Sequence, residues 1–250
     1  MTVCYVKQSV CRVPKKISRK EEVAMRKTFF VSCALLFLLG IFFCVSATGP
    51  LAEAKTLKFS DSKNFTSEPF EIKANEWQVN WKYKAKKVPI FIVYVFPEGE
   101  KTQFIEMVNN PRLPEGSGTT YLYKGNGKYY IKVITKNDPN WEIEVVPSGV
   151  SEPLKSPASF SGTADATTKP FKIQGNAFKV SYAIEPLTAL SYTGAGQMIA
   201  VYPRGEMENY IDMVTVGAGT GTKVFEGEPG EYYIKVQATL VKSWKIDVTE

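Results

Sequence analysis

The chain has 250 residues, with 31 Lys and Arg, 25 Asp and Glu, no histidine and a formal net charge of +6. Without histidine there is no Ser-His-Asp triad, no imidazole general base and no His-ligated metal. The four cysteines, Cys4, Cys11, Cys33 and Cys44, all lie in the first 44 residues, so a disulfide framework, Cys-based metal sites and thiol catalysis are excluded from everything that follows.

Residues 1–24 are long and mixed in character and read as an upstream extension that is not translated in the cell. Lys20-Glu21-Glu22 can be encoded by a purine-rich stretch of the kind that binds a bacterial ribosome, which places the natural start at Met25 in a bacterial source. Residues 25–54 have the parts of a secretory signal peptide: Arg26-Lys27, the apolar run Phe29 to Ala47, the breaker Gly49-Pro50 and the small-residue site Ala52-Glu53-Ala54. Cleavage is expected after Ala54, with Val45-Ser46-Ala47 as a second site, and an uncleaved signal anchor is the alternative because the run is long enough to span a bilayer, which takes roughly 20 apolar residues. Eight of the basic and three of the acidic residues precede Lys55, leaving 23 against 22 in the exported chain. Nucleic acid and membrane are therefore not expected as partners once the signal is removed, and the expected location is secreted or cell-surface.

From residue 55 the apolar pattern has period two. In Glu76 to Lys84, EWQVNWKYK, the residues Trp77, Val79, Trp81 and Tyr83 share one parity while the other carries polar groups, the mark of a half-buried strand. Phe91, Val93 and Val95 alternate in the same way, as do Tyr129, Ile131 and Val133, then Trp141, Ile143 and Val145. Turn signals at Pro97-Glu98-Gly99 and Gly125-Asn126-Gly127 separate them.

The second half repeats the first. PFEIKANEWQVNW (69–81) matches PFKIQGNAFKVSY (170–182), IVYVFPEGE (92–100) matches MIAVYPRGE (198–206), and FIEMV (104–108) matches YIDMV (210–214). GKYYIKV (127–133) matches GEYYIKV (230–236), and WEIEV (141–145) matches WKIDV (244–248). One unit used twice gives repeats at 55–146 and 159–250, joined by a Pro- and Ser-rich linker at 147–158. The fold class expected is all-β: two tandem antiparallel β-sandwich domains, jelly-roll or Ig-like, behind the signal peptide.

An apolar strand ending in FPEGE, a Gly-rich turn, then G-[KE]-Y-Y-I-K-V and a closing W-x-I-x-V resembles the bacterial pre-peptidase C-terminal domains and related CUB-like jelly rolls. The resemblance spans both repeats and implies a non-catalytic appendage of secreted or surface proteins.

Candidate site residues fall in four groups. Trp81 and Tyr83 read as core at the rim, partly exposed and within reach of a ligand; Trp81 becomes Tyr182 in the repeat. Tyr130 and Lys132, and their repeats Tyr233 and Lys235, take the polar parity of YYIKV and form either a binding surface or an edge strand defended against pairing. Tyr192 and Thr193 lie in LTALSYTGAGQ (187–197), where the repeats differ most, and combine a stacking ring with Gly-permitted backbone approach. Glu106 and Asp212, acidic in both copies of I-[ED]-M-V, are candidate calcium ligands, with an outward strand carboxylate as the ordinary reading. No cofactor is expected beyond that calcium.

Glu142 and Glu144 share a strand face, but Lys245 and Asp247 replace them in the repeat, so a carboxylate-dependent hydrolase ranks last. Ranked first is a non-catalytic binding or adhesion module for an extracellular polysaccharide or protein, two linked copies adding avidity. A structural or accessory subunit of an extracellular assembly comes second.

Overall fold

The computed structural model describes residues 55–109, 113–147, 152–188 and 194–250. Residues 1–54 with the four cysteines and the expected cleavage sites, part of the expected linker, and Tyr192 and Thr193 lie outside the described residues. Residues 53–250 form one compact unit. It is all-β, and no helix among the described residues is long and apolar enough to cross a membrane.

The first module contains β1 (Leu57–Asp61), β2 (Phe65–Thr66), β3 (Phe70–Ile72), β4 (Trp77–Lys84), β5 (Ile90–Pro97), β6 (Glu106–Asn109), β7 (Glu115–Leu122), β8 (Gly127–Lys136) and β9 (Asn140–Val146). The second contains β10 (Leu154–Lys155), β11 (Ala158–Gly162), β12 (Ala166–Thr167), β13 (Phe171–Ile173), β14 (Ala177–Pro186), β15 (Gly196–Pro203), β16 (Asp212–Gly217), β17 (Gly219–Glu226), β18 (Gly230–Thr239) and β19 (Val241–Thr249).

In the first module a four-stranded sheet runs β1-β9-β4-β7, and a five-stranded sheet runs β8-β5-β6 with both β2 and β3 on the free side of β8. The second module repeats this as β11-β19-β14-β17 and β13-β18-β15-β16, with β12 also on β18. Two antiparallel sheets in this order make a jelly roll. Within the segment expected as linker, β10 adds a short parallel pairing to β13.

The period-two pattern sets the cores. Trp77, Val79, Phe91, Ile131 and Ile143 are fully buried between the sheets of the first module, and Phe178, Val180, Ile199, Ile234 and Ile246 between those of the second. Each large apolar side chain so buried contributes roughly 1.5–3 kcal/mol. The indole N–H of Trp141 donates to the Lys63 carbonyl (3.1 Å) and that of Trp244 to the Ala164 carbonyl (2.8 Å), so each closing tryptophan is satisfied at its polar end. The turn after β5 is also repeated after β15. Glu100 N–H bonds Pro97 and Glu206 N–H bonds Pro203, both at 3.1 Å, around Gly99 and Gly205 at φ 85° and 89°, a region closed to most side chains.

Candidate functional site

Two surfaces stand out, and both are built from duplicated positions. The first is a shallow trough on each four-stranded sheet. Pairing places Tyr83 opposite Gly116 on β7 and Trp141 on β9, and Ile184 opposite Gly219 on β17 and Trp244 on β19. At these equivalent registers lie a trough of ≈ 520 Å³ in the first module and one of ≈ 570 Å³ in the second, both within the usual range for ligand clefts, about 300–1,000 Å³. The first continues into a neighbouring hollow along Asn80, Ser117, Thr119 and Glu144.

The trough of the first module is rimmed by outward side chains in cross-strand pairs: Lys82 with Glu142 at 2.8 Å and Lys84 with Glu115 at 3.2 Å. Beside it Asn80 donates to Glu144 (3.0 Å) and accepts from Thr119 (2.8 Å), and Lys58 pairs with Glu144 at 3.1 Å. The Asn80 amide, with Lys58, holds the Glu144 carboxyl below the usual carboxylate range. In the second module Lys242 and Ser243 contact Glu185, Lys245 and Ser159 contact Asp247, and Ala183 replaces Lys82. That trough is accordingly less charged.

Trp81 and Tyr83 lie beneath this surface and not at an exposed rim. They are 5% and 4% exposed, because their rings swing over Gly118 and Gly116 of β7, where a Cβ would come within 2.7 Å and 2.8 Å. Burial pushes the Tyr83 phenol well above its ordinary value. The glycines of this edge strand are spaces for aromatic rings, a relationship that could be sought in the sequence by looking for Gly on one strand against Trp or Tyr on another.

The second surface lies on the outer face of the larger sheet, and here the two modules part ways. Tyr130 and Lys132 sit on β8, and Tyr233 and Lys235 on β18, both central strands, so the defended-edge reading of YYIKV does not hold. In each module the outer tyrosine ties down the preceding turn: Tyr130 donates to the Glu100 carbonyl and Tyr233 to the Glu206 carbonyl. In the first module Tyr130 stacks on Phe96, and Phe96 meets the exposed Phe104 edge-on. In the second Tyr233 stacks on Tyr202 but is fully buried, because the first module covers it.

That covering is a joint between the modules. Tyr123, just after β7, stacks on Tyr233, and its hydroxyl donates to the Thr168 carbonyl at 2.8 Å. Thr167 on β12 donates its N–H to Thr120 (3.2 Å) and its hydroxyl to Glu106 (2.9 Å), and Lys235 lies 3.4 Å from the same Glu106 oxygen. Arg204 clamps Glu76 of the first module through two bonds of 2.7 and 2.6 Å and Glu231 of its own module through one of 2.6 Å.

Glu106 is therefore buried, with a lysine ammonium and a hydroxyl donor in the position a hard cation would need. Asp212 is ion-paired with Lys223 at 2.6 Å, and that hydrogen bond holds its carboxyl below the usual range. Among the described residues no three metal-ligating side chains gather. Missed from the sequence was Asp165, 6% exposed at the joint; burial, against hydrogen bonds from the Ala238 and Asn109 backbone and with Glu106 nearby, leaves its carboxyl pushed up to about 7.

No family model matches the chain, and no curated protein does. Among solved structures it is similar to the M60 catalytic domain with the CBM51-1 and CBM51-2 domains from Clostridium perfringens ZmpB, at 8% identity and a TM-score of 0.21, covering 78% of this chain and 34% of that one. It is also similar to the N-terminal CBM22-1-CBM22-2 tandem domain from Paenibacillus barcinonensis Xyn10C, at 10% identity and a TM-score of 0.21, covering 78% of this chain and 91% of that one. The chain thus spans about a third of the first protein's length.

Proposed function

We propose that this is a non-catalytic, extracellular binding module for a polysaccharide, held in the paired troughs of the four-stranded sheets. The observation that supports it is the recurrence of a trough at the same strand register in both modules although most of the lining residues have changed. The walls mix donors and acceptors, as in Asn80, Ser117, Asn140 and Glu142 or Thr220, Ser243 and Lys245, a lining suited to the hydroxyls of a sugar chain. Without histidine, and without cysteine after Cys44, imidazole and thiol chemistry are unavailable, and the outward carboxylates Glu142 and Glu144 are not both kept in the repeat, where Lys245 and Asp247 replace them. Two linked weak sites then bind a polymer more tightly than either alone.

The test is retention on a panel of insoluble polysaccharides: cellulose, chitin and peptidoglycan sacculi. Ser117→Trp and Thr220→Trp each fill one trough from an exposed outward position. Each is expected to weaken retention about tenfold, and the pair to abolish it, with unchanged melting. Failure of the wild type to bind any of the panel, or undiminished binding by the double variant, rejects the reading.

A further inference from the structure

The joint between the modules is asymmetric. It uses the outer β18 face of the second module and the β6–β7 edge of the first. Duplication supplies a counterpart of each surface, altered at Tyr94 for Ala200 on the face and at Lys223 for Thr120 on the edge, and among the described residues neither is used.

The spare face is on the first module. Thr66 and Lys132, counterparts of Thr167 and Lys235, are exposed, whereas Thr167 is 1% exposed. Tyr130, counterpart of the fully buried Tyr233, is half-buried. The spare edge is on the second module. It carries Asp212 in the place of Glu106, and Met213 and Val224 stand on it 42% and 59% exposed.

The charges on the two spare surfaces correspond. Asp212 is placed to meet Lys132 as Glu106 meets Lys235, in exchange for its 2.6 Å bond to Lys223 of its own edge. The clamp is rewritten with its signs exchanged: Arg204 and Glu231 become Glu98 and Lys128, paired at 3.7 Å. On the opposing edge Glu76 and Tyr123 become Ala177 and Glu226 by strand register. The cation of the face has moved from position 204 to 128, and the anion of the edge from 76 to 226. These positions adjoin, since Tyr123 and Glu231 line the same hollow at the joint.

We infer that copies of this chain associate head to tail, the β16–β17 edge of one chain docking on the outer β8 face of the next in the manner of the internal joint. The two surfaces differ, so the contact is heterologous and grows into open chains unless its rotation closes a ring. It replaces the stacked Tyr123 by Glu226 and so relies more on charge than the internal joint does, which makes it weaker and salt-sensitive. It leaves both troughs free, and it does not depend on polysaccharide binding.

The experiment is sedimentation velocity on residues 53–250, within which both hydrophobic cores are complete, over a range of concentrations. Species larger than monomer are expected to grow with concentration and to shrink as salt is raised. Lys132→Glu and Asp212→Lys, both at exposed or half-exposed positions, are each expected to weaken self-association at least about tenfold. Mixing the two variants is expected to restore it, because each retains the surface the other lacks. A wild-type chain that remains monomeric up to about 1 mM, or self-association that neither variant alters, overturns the inference. Retention of Lys132→Glu on polysaccharide separates this result from the trough binding.

Discussion

The rings of Tyr123 and Tyr233 lie 4.0 Å apart, centroid to centroid, with 21° between their planes, and they belong to different modules. Burial drives both phenols far above their ordinary value. Replacing Tyr123 with Ala empties one side of that stack and leaves Thr168 without its hydroxyl donor. The expected loss is about 2–4 kcal/mol of unfolding free energy, read in urea, together with a split of one transition into two as the modules uncouple. A single unshifted transition would show that the joint contributes nothing.

Asp165 makes the joint sensitive to pH. Its folded carboxyl titrates near 7 against an ordinary 3.8, so between those values the folded state binds a proton that the unfolded state has released. Stability is then full below about pH 4 and falls as pH rises towards 7, by on the order of 4 kcal/mol for this one group. Asp165→Asn removes the titration while keeping an acceptor for the Ala238 N–H, 2.7 Å away. Denaturation midpoints of wild type and variant should converge at pH 4 and separate at pH 7, with the variant the more stable. Parallel profiles would mean that Asp165 titrates normally.

The strand parity was legible in the sequence because inward and outward positions alternate locally, and Trp77, Val79 and Ile143 all fall inside as that alternation requires. The duplication was legible for the same reason, since matched blocks keep their parity. What local pattern does not carry is which outward face a neighbouring module covers. GKYYIKV and GEYYIKV are nearly identical, yet Tyr130 is half-open and Tyr233 closed. A signal existed in the departures between the repeats at outward positions: Tyr94 becomes Ala200, which is 1% exposed. Glu106 is outward from its sheet, as its strand position implies, but inward to the molecule, which the same local pattern does not carry.

Gly125 is required by space. A Cβ there would lie 1.7 Å from the Ala74 carbonyl oxygen, and that carbonyl accepts the Asn126 N–H at 3.1 Å. Because the obstacle is backbone, no rotamer change relieves it. Gly125→Ala should cost more than about 2 kcal/mol, measured as a lowered denaturation midpoint. Wild-type stability would show that the two turns can separate freely.

Gln197 stands where the first module has Phe91. It is 1% exposed, and neither amide atom has a hydrogen-bond partner among the described residues. Gln197→Leu removes an unsatisfied polar group at similar volume and is expected to stabilise the chain by about 1–2 kcal/mol. A loss of stability on that substitution would indicate that the amide has a partner after all.

In each module the first and last strands of the four-stranded sheet are antiparallel neighbours, with Leu57 opposite Val145 and Ala158 opposite Val248. Chain enters and leaves each module at the same end of one ladder. Tension applied between residues 55 and 250 therefore loads the ladder bonds one after another, as a zipper is opened, and not all together in shear. The molecule is a compliant tether: in single-molecule pulling it should yield at low force in two extensions of roughly 300 Å each, about 90 residues per module at full stretch. One abrupt high-force rupture would mean that the joint, and not the terminal strand pairs, carries the tension.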